Sequence, residues 1–264
     1  MSLKSFKKNG YSYISASSFK KELSKIRIIL KDNFSRNIQY YNNLSLKQFR
    51  NISNKSLKKI YSKVDINFIK KKISDCLSNE LSTENDFYAS SYITLLVTRP
   101  QKEKKFLIDN ENEFHDFHRE TFYAGKKKLY YVKYQMNCWI PIFNITKNQN
   151  MMFIPKSHKI PDKKIVVREK KSKIIKKGSI SHKLGYLHTQ KKIIKGVDLT
   201  KAKRFEVPKN KFLLFNGNLI HGNGINFSKK IRFAIGIGII NGKNILKKMP
   251  INFRSGQSHY KKIV

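Results

Sequence analysis

Apolar residues recur at three- and four-residue steps from Ser17 to Ile38, at Phe19, Leu23, Ile26, Ile29, Leu30 and Phe34. That period predicts a helix with one buried stripe. A second such stretch runs from Ser56 to Leu77, through Leu57, Ile60, Tyr61, Val64, Ile69, Ile73 and Leu77. Asn42 and Asn43 mark a break between the two. The pattern changes near Tyr92. Tyr92 to Thr98 is apolar and β-branched and stops before Pro100, which predicts a strand. Strand-like segments follow at Tyr130–Ile142, Met151–Ile154, Phe212–Phe215 and Ile231–Ile240. Lys159 to Arg204 is Lys-rich, punctuated by Gly178, Gly185 and Gly196, and reads as an insertion with short strands. There is no internal repeat. Helices first and short antiparallel strands after predict a mainly β chain, a jelly-roll core with α-helical cover. Residues 1–90 are expected to form a helical region of the same domain, 91–264 the core, and 159–204 the insertion.

Composition narrows the picture. The 264 residues suit one large domain, and 39% hydrophobic with 12% aromatic residues is too apolar for a disordered chain. The formal net charge is +39, from 56 Lys+Arg against 17 Asp+Glu, a balance that points toward polyanions. The excess is nearly all lysine, spread from Lys4 to Lys262 amid abundant Ile and Asn, as AT-rich codon usage produces. Arginine, whose fork reads bases and phosphates, is scarce. Cys76 and Cys138 have no zinc-like spacing and fit a reducing cytoplasm, the expected location. No apolar stretch follows the basic segment Met1 to Asn9, so no signal peptide is expected. No run reaches the ~18 apolar residues of a membrane span.

The chemistry concentrates at Phe117-His118-Arg119-Glu120. In an extended strand, residues i and i+2 point the same way, so His118 and Glu120 aim at one point. Imidazole and carboxylate are two of the three groups of the two-His, one-carboxylate facial triad for iron(II). The third belongs on a distant strand, with His158, His182, His188, His221 and His259 as candidates. His221 stands out: it follows Phe212 to Phe215 and the turn Asn216-Gly217-Asn218, and Gly222-Asn223 comes next. His115 is another histidine in reach, but Phe117 follows it at i+2 where an acid would be needed. Arg232, amid Ile231, Phe233, Ile235 and Ile237, needs a partner to offset its desolvation. A carboxylate that accepts two hydrogen bonds, such as the distal one of 2-oxoglutarate, is suited to it.

Together these stretches, with Asn137-Cys138-Trp139-Ile140-Pro141-Ile142 and Ile154-Pro155-Lys156-Ser157-His158, resemble the phytanoyl-CoA dioxygenase-like superfamily over roughly residues 92–240. The resemblance implies a double-stranded β-helix of the cupin-like kind. It implies Fe(II) at His118, Glu120 and His221, 2-oxoglutarate gripped by Arg232, and molecular oxygen as co-substrate. His158 then falls in a structural landmark rather than among the ligands. Trp139 is read either as a core residue or, in this fold, as lining the co-substrate pocket, and Asn137 and Asn223, polar groups near the expected site, are candidates for hydrogen bonds to 2-oxoglutarate. The implied reaction is hydroxylation of an unactivated C–H bond of a small substrate. The stretch from Asn137 to Lys159 is similar to members from carbohydrate and antibiotic-sugar clusters. One departure is Glu120, where many members carry Asp; Glu is one methylene longer.

Lys126 to Lys128 and the basic run Lys170 to Lys177 are candidates for receiving an anionic substrate group. The competing readings are a basic polyanion- or nucleic-acid-binding jelly roll without catalysis, a catalytically silent jelly roll, and a zinc hydrolase. The first explains the charge but leaves the histidines, Glu120 and Arg232 without purpose. The last leaves Arg232 idle.

Overall fold

The computed structural model describes residues 3–81, 86–100, 117–123, 132, 134–170, 183–184, 190–242 and 260–263. Strand β1 (Tyr11–Ser15) follows a short helix α1 (Leu3–Asn9). Helices α2 (Lys20–Asn33), α3 (Ile38–Asn43), α4 (Leu46–Lys63) and α5 (Ile66–Leu81) come next. The predicted helical stripes are there, but each is divided. The first breaks between Phe34 and Asn37, where Asn37 caps α3 by accepting from the Tyr40 amide. The second breaks at Val64–Asp65, between α4 and α5. Ser45 and Gln48 form a reciprocal capping box that starts α4.

The remaining strands are β2 (Phe87–Ser90), β3 (Thr94–Thr98), β4 (Gln135–Pro141), β5 (Met152–Phe153), β6 (Val166–Lys170), β7 (Gln190–Lys195), β8 (Lys203–Arg204), β9 (Lys211–Asn216), β10 (His221–Gly222), β11 (Arg232–Asn241) and β12 (Tyr260–Lys262). The main sheet runs β1-β9-β4-β11-β2-β12, with β3 beside the first half of β11. All its pairings are antiparallel. A small sheet, β10-β5-β8, lies against it, and β6 and β7 form a separate two-stranded ribbon within the Lys-rich stretch 159–204. This is the expected jelly roll with helical cover.

Strand alternation sorts the side chains into two layers. Ile14, Leu95, Met136, Cys138, Ile140, Phe212, Leu214, Phe233, Ile235, Ile237 and Ile239 pack with helix residues Leu23, Ile26, Leu30, Leu57, Ile60, Ile69 and Ile73. The alternate residues face inward. Trp139, Leu213, Phe215 and Ala234 meet Phe153 and Phe205, behind the small sheet, in a second core. Gln135, Asn137, Thr98 and Arg232 occupy the inward positions of their strands. The helices therefore bury one face of the sheet and leave the other for polar chemistry. Both cysteines are free. Among the described residues no helix is long and apolar enough to cross a membrane.

Candidate metal centre

His118 and His221 face each other across a one-residue antiparallel bridge. Each amide donates to the other's carbonyl at 2.9 Å. Directly opposed residues of an antiparallel pair project on the same side, and the two imidazole centroids lie 4.4 Å apart. The bridge makes His118 a fragment of a strand alongside β10. The extended strand expected through Glu120 does not form, because Glu120 opens a 3-10 turn, Glu120–Tyr123. Convergence comes instead from the Glu120 amide, which donates to the Gly217 carbonyl at 2.8 Å, while the Gly217 amide donates to Gln135 O at 2.7 Å. A Cβ on Gly217 would stand 2.9 Å from Gln135 O and 3.2 Å from Glu120 Cγ, so only glycine lets the acid settle there.

One ligand atom from each of His118, Glu120 and His221 falls within 4.8 Å of the others. His221 Nδ1 donates to Leu219 O at 2.8 Å. A carbonyl only accepts, so the proton sits on Nδ1 and, in the neutral ring, Nε2 carries the lone pair, the atom with which a histidine in this tautomer holds a metal. Nε2 lies 3.9 Å from Glu120 Oε1. Both histidines are buried, and the Glu120 side chain is 26% exposed, which leaves the site open on the acid's side. Two imidazoles and a carboxylate on one face suit Fe(II) with open positions opposite.

Arg232 is fully buried at the first residue of β11. Its Nη1 donates to Gln149 O and Asn223 O, and its Nη2 to Thr98 Oγ1 and Asn223 Oδ1, at 2.7–2.9 Å. No carboxylate of the described residues pairs with it. Burial, and then the charge of Arg204, pull it down to about 9, so it stays cationic at neutral pH. Its Nε and the Trp139 Nε1 are buried without a hydrogen-bond partner among the described residues, and the guanidinium carbon lies 5.9 Å from the Trp139 ring centroid. Thr98, 1% exposed, accepts from Arg232 and keeps its own hydroxyl proton to give. Three buried donors and a cation lacking an anion are what a planar carboxylate completes.

The other expected residues are placed as follows. Asn137 Nδ2 donates to Glu120 Oε1 at 2.8 Å, so it contacts the acid ligand. Asn223 braces Arg232 through both its carbonyl and its side chain. His158 Nε2 bonds Lys7 O and is not part of the cluster of His118, Glu120 and His221. His115, His182, His188, His259, Lys126 to Lys128 and Lys171 to Lys177 lie outside the described residues. Thr98 was not foreseen, although it ends a strand whose alternation puts it beside Thr94 and Leu96 on the inward face. Gln135 and Tyr260 carry no local signal at all.

The family model for phytanoyl-CoA dioxygenase (PhyH) matches residues 101–234, just over half of the chain. A crystal structure of EvdO2 from Micromonospora carbonacea var. aurantiaca, complexed with 2-oxoglutarate, superposes with a TM-score of 0.58 at 12% identity. The match covers 90% of this chain and 89% of that one. A second EvdO2 structure gives a TM-score of 0.56 at 12% identity over the same shares. At that identity the likeness is one of fold. No curated protein sequence matches the chain. With its histidine pair, acid and buried arginine in one jelly-roll interior, the chain belongs to the phytanoyl-CoA dioxygenase family of iron- and 2-oxoglutarate-dependent enzymes.

Proposed function

We propose that this chain binds Fe(II) through His118, Glu120 and His221, binds 2-oxoglutarate against Arg232, and hydroxylates a C–H bond of a small molecule carrying an anionic or carbohydrate-linked group. Bound iron and 2-oxoglutarate supply the oxidising chemistry, with dioxygen as co-substrate and succinate and CO₂ as co-products. The protein's part is to hold, orient and exclude water.

The observation that carries the reading is the buried, uncompensated Arg232 with donors from Thr98 and Trp139 beside it. Its distance from the metal ligands is apt. Asn137 touches Glu120 and Trp139 underlies Arg232, and these two residues are inward neighbours on β4. Side chains two residues apart on a strand stand about 7 Å apart, a gap that a five-carbon dicarboxylate bridges. A polyanion-binding protein or a zinc hydrolase has no use for such an arginine.

An anionic substrate group is supported by Lys183. Its Nζ lies 5.7 Å from the Tyr92 ring and 5.9 Å from the Tyr61 ring. Tyr92 is held above the ordinary phenol range by burial, and then by Tyr61 and the Glu120 charge.

The test is anaerobic titration of the Fe(II)-loaded protein with 2-oxoglutarate, following the weak visible charge-transfer band of the chelate. Wild type is expected to show the band. Arg232→Ala should need at least about 30-fold more 2-oxoglutarate, since removing one partner of a buried charge pair costs about 2–5 kcal/mol. His118→Ala and His221→Ala should abolish succinate formation. A wild-type protein that binds iron but shows no band sinks the proposal.

A further inference from the structure

We propose that Tyr260 is a positioning residue for the metal-binding carboxylate of Glu120, acting through Gln135 and Asn137. The proposal rests on the reading of His118, Glu120 and His221 as metal ligands. Tyr260 Oη donates to Gln135 Oε1 at 2.6 Å, Gln135 Nε2 to Asn137 Oδ1 at 2.7 Å, and Asn137 Nδ2 to Glu120 Oε1 at 2.8 Å. Tyr260 and Gln135 are buried, 6% and 7% exposed, in a protein interior where hydrogen-bonded groups polarise one another.

The chain has one direction, and Glu120 sets it. An ionised carboxylate only accepts, so Asn137 must present its NH₂ to it. Asn137 then turns its oxygen to Gln135, which must present its own NH₂. Gln135 is left with its oxygen outward, and that oxygen needs a donor. The Tyr260 hydroxyl is that donor. Without it, the buried Gln135 oxygen loses its donor, and the Gln135 amide no longer braces Asn137 in place against the carboxylate. β11 is shaped to admit the relay. A Cβ on Gly238 would lie 3.1 Å from Tyr260 Oη and 3.3 Å from Gln135 Nε2. The longer glutamate at position 120 ends where Asn137 meets it, so the relay restrains the extra torsion that aspartate lacks.

The experiment is titration of the metal-free protein with Co(II), read by affinity and by the visible d–d spectrum, for wild type, Tyr260→Phe, Gln135→Met and the double variant. Metal-free melting temperatures are recorded alongside. Outer residues that orient metal ligands are worth about 10–100-fold in affinity. Each single variant, at the low end of that range because it acts through Asn137, is therefore expected to weaken Co(II) binding by about 10-fold and to change the d–d spectrum. Because the residues act in series, the double variant should bind no worse than Gln135→Met alone. Unchanged affinity in a folded Tyr260→Phe, or losses that add, overturns the relay while leaving the metal site standing. If Tyr260→Phe does not fold, Gln135→Met decides: weakened binding supports the relay and unchanged binding overturns it. A wild type that binds no Co(II) overturns both the relay and the function proposed above.

Discussion

Arg232 shows how much one residue's surroundings imply. A guanidinium with no exposure and no carboxylate partner among the described residues is costly, because the carbonyls and hydroxyl around it supply dipoles and no opposing charge. Its pKa, held at about 9 chiefly by burial, lies well below the ordinary guanidinium range. A base depressed in this way destabilises the folded chain while it is protonated, and the cost fades as the pH rises past about 9 toward the ordinary guanidinium range. A bound carboxylate offsets that cost only while the guanidinium is charged. Thermal stabilisation by 2-oxoglutarate should thus be full near neutral pH and shrink once the pH climbs past about 9. Melting curves with and without 2-oxoglutarate across that range check this, and a shift that stays constant would remove Arg232 as the anion's partner. The residue's type and its place in an apolar strand could be read in advance. Thr98 could not be, since it lies 134 positions away in the chain and meets Arg232 only across the β3–β11 ladder.

Among the elements, the helices and the long strands were visible because their periods are local. The interruptions were not. Phe34 is partly buried against the core and packs on Tyr41, Phe49 and Phe233, which turns the chain out of α2 toward α3. β1 also went unread, since five residues of alternating pattern are a weak signal until β9 pairs with them. The seam between helices and sheet is where stability concentrates. Phe19, just before α2, is fully buried against Phe212 of β9. Phe19→Ala should cost about 3–5 kcal/mol, seen as a lower urea midpoint with an unchanged slope. A loss under 1 kcal/mol, within the range of a surface change, would mean that the helical layer adds little to the sheet.

For the whole molecule, a +39 charge on 264 residues is a problem of self-repulsion before it is a functional device. Salt at moderate concentration screens such repulsion within about 10 Å. The melting temperature of the metal-free protein should therefore rise as sodium chloride is added, and a flat or falling response would show that the lysines are solvated independently. The interior holds the opposite arrangement, a few charges placed with care. Residue chemistry and local period were enough to determine the jelly-roll class and its helical cover, and to single out His118, Glu120, His221 and Arg232 as candidates, because those are properties of short stretches of chain. Only the tertiary structure decided that Glu120 stands on a 3-10 turn pinned by Gly217, that Asn137 serves the acid, and that Tyr260 reaches Gln135 from 125 residues away. Those contacts join strands far apart in sequence, and hydrogen-bond direction across a sheet leaves no trace in the periodicity of any one strand.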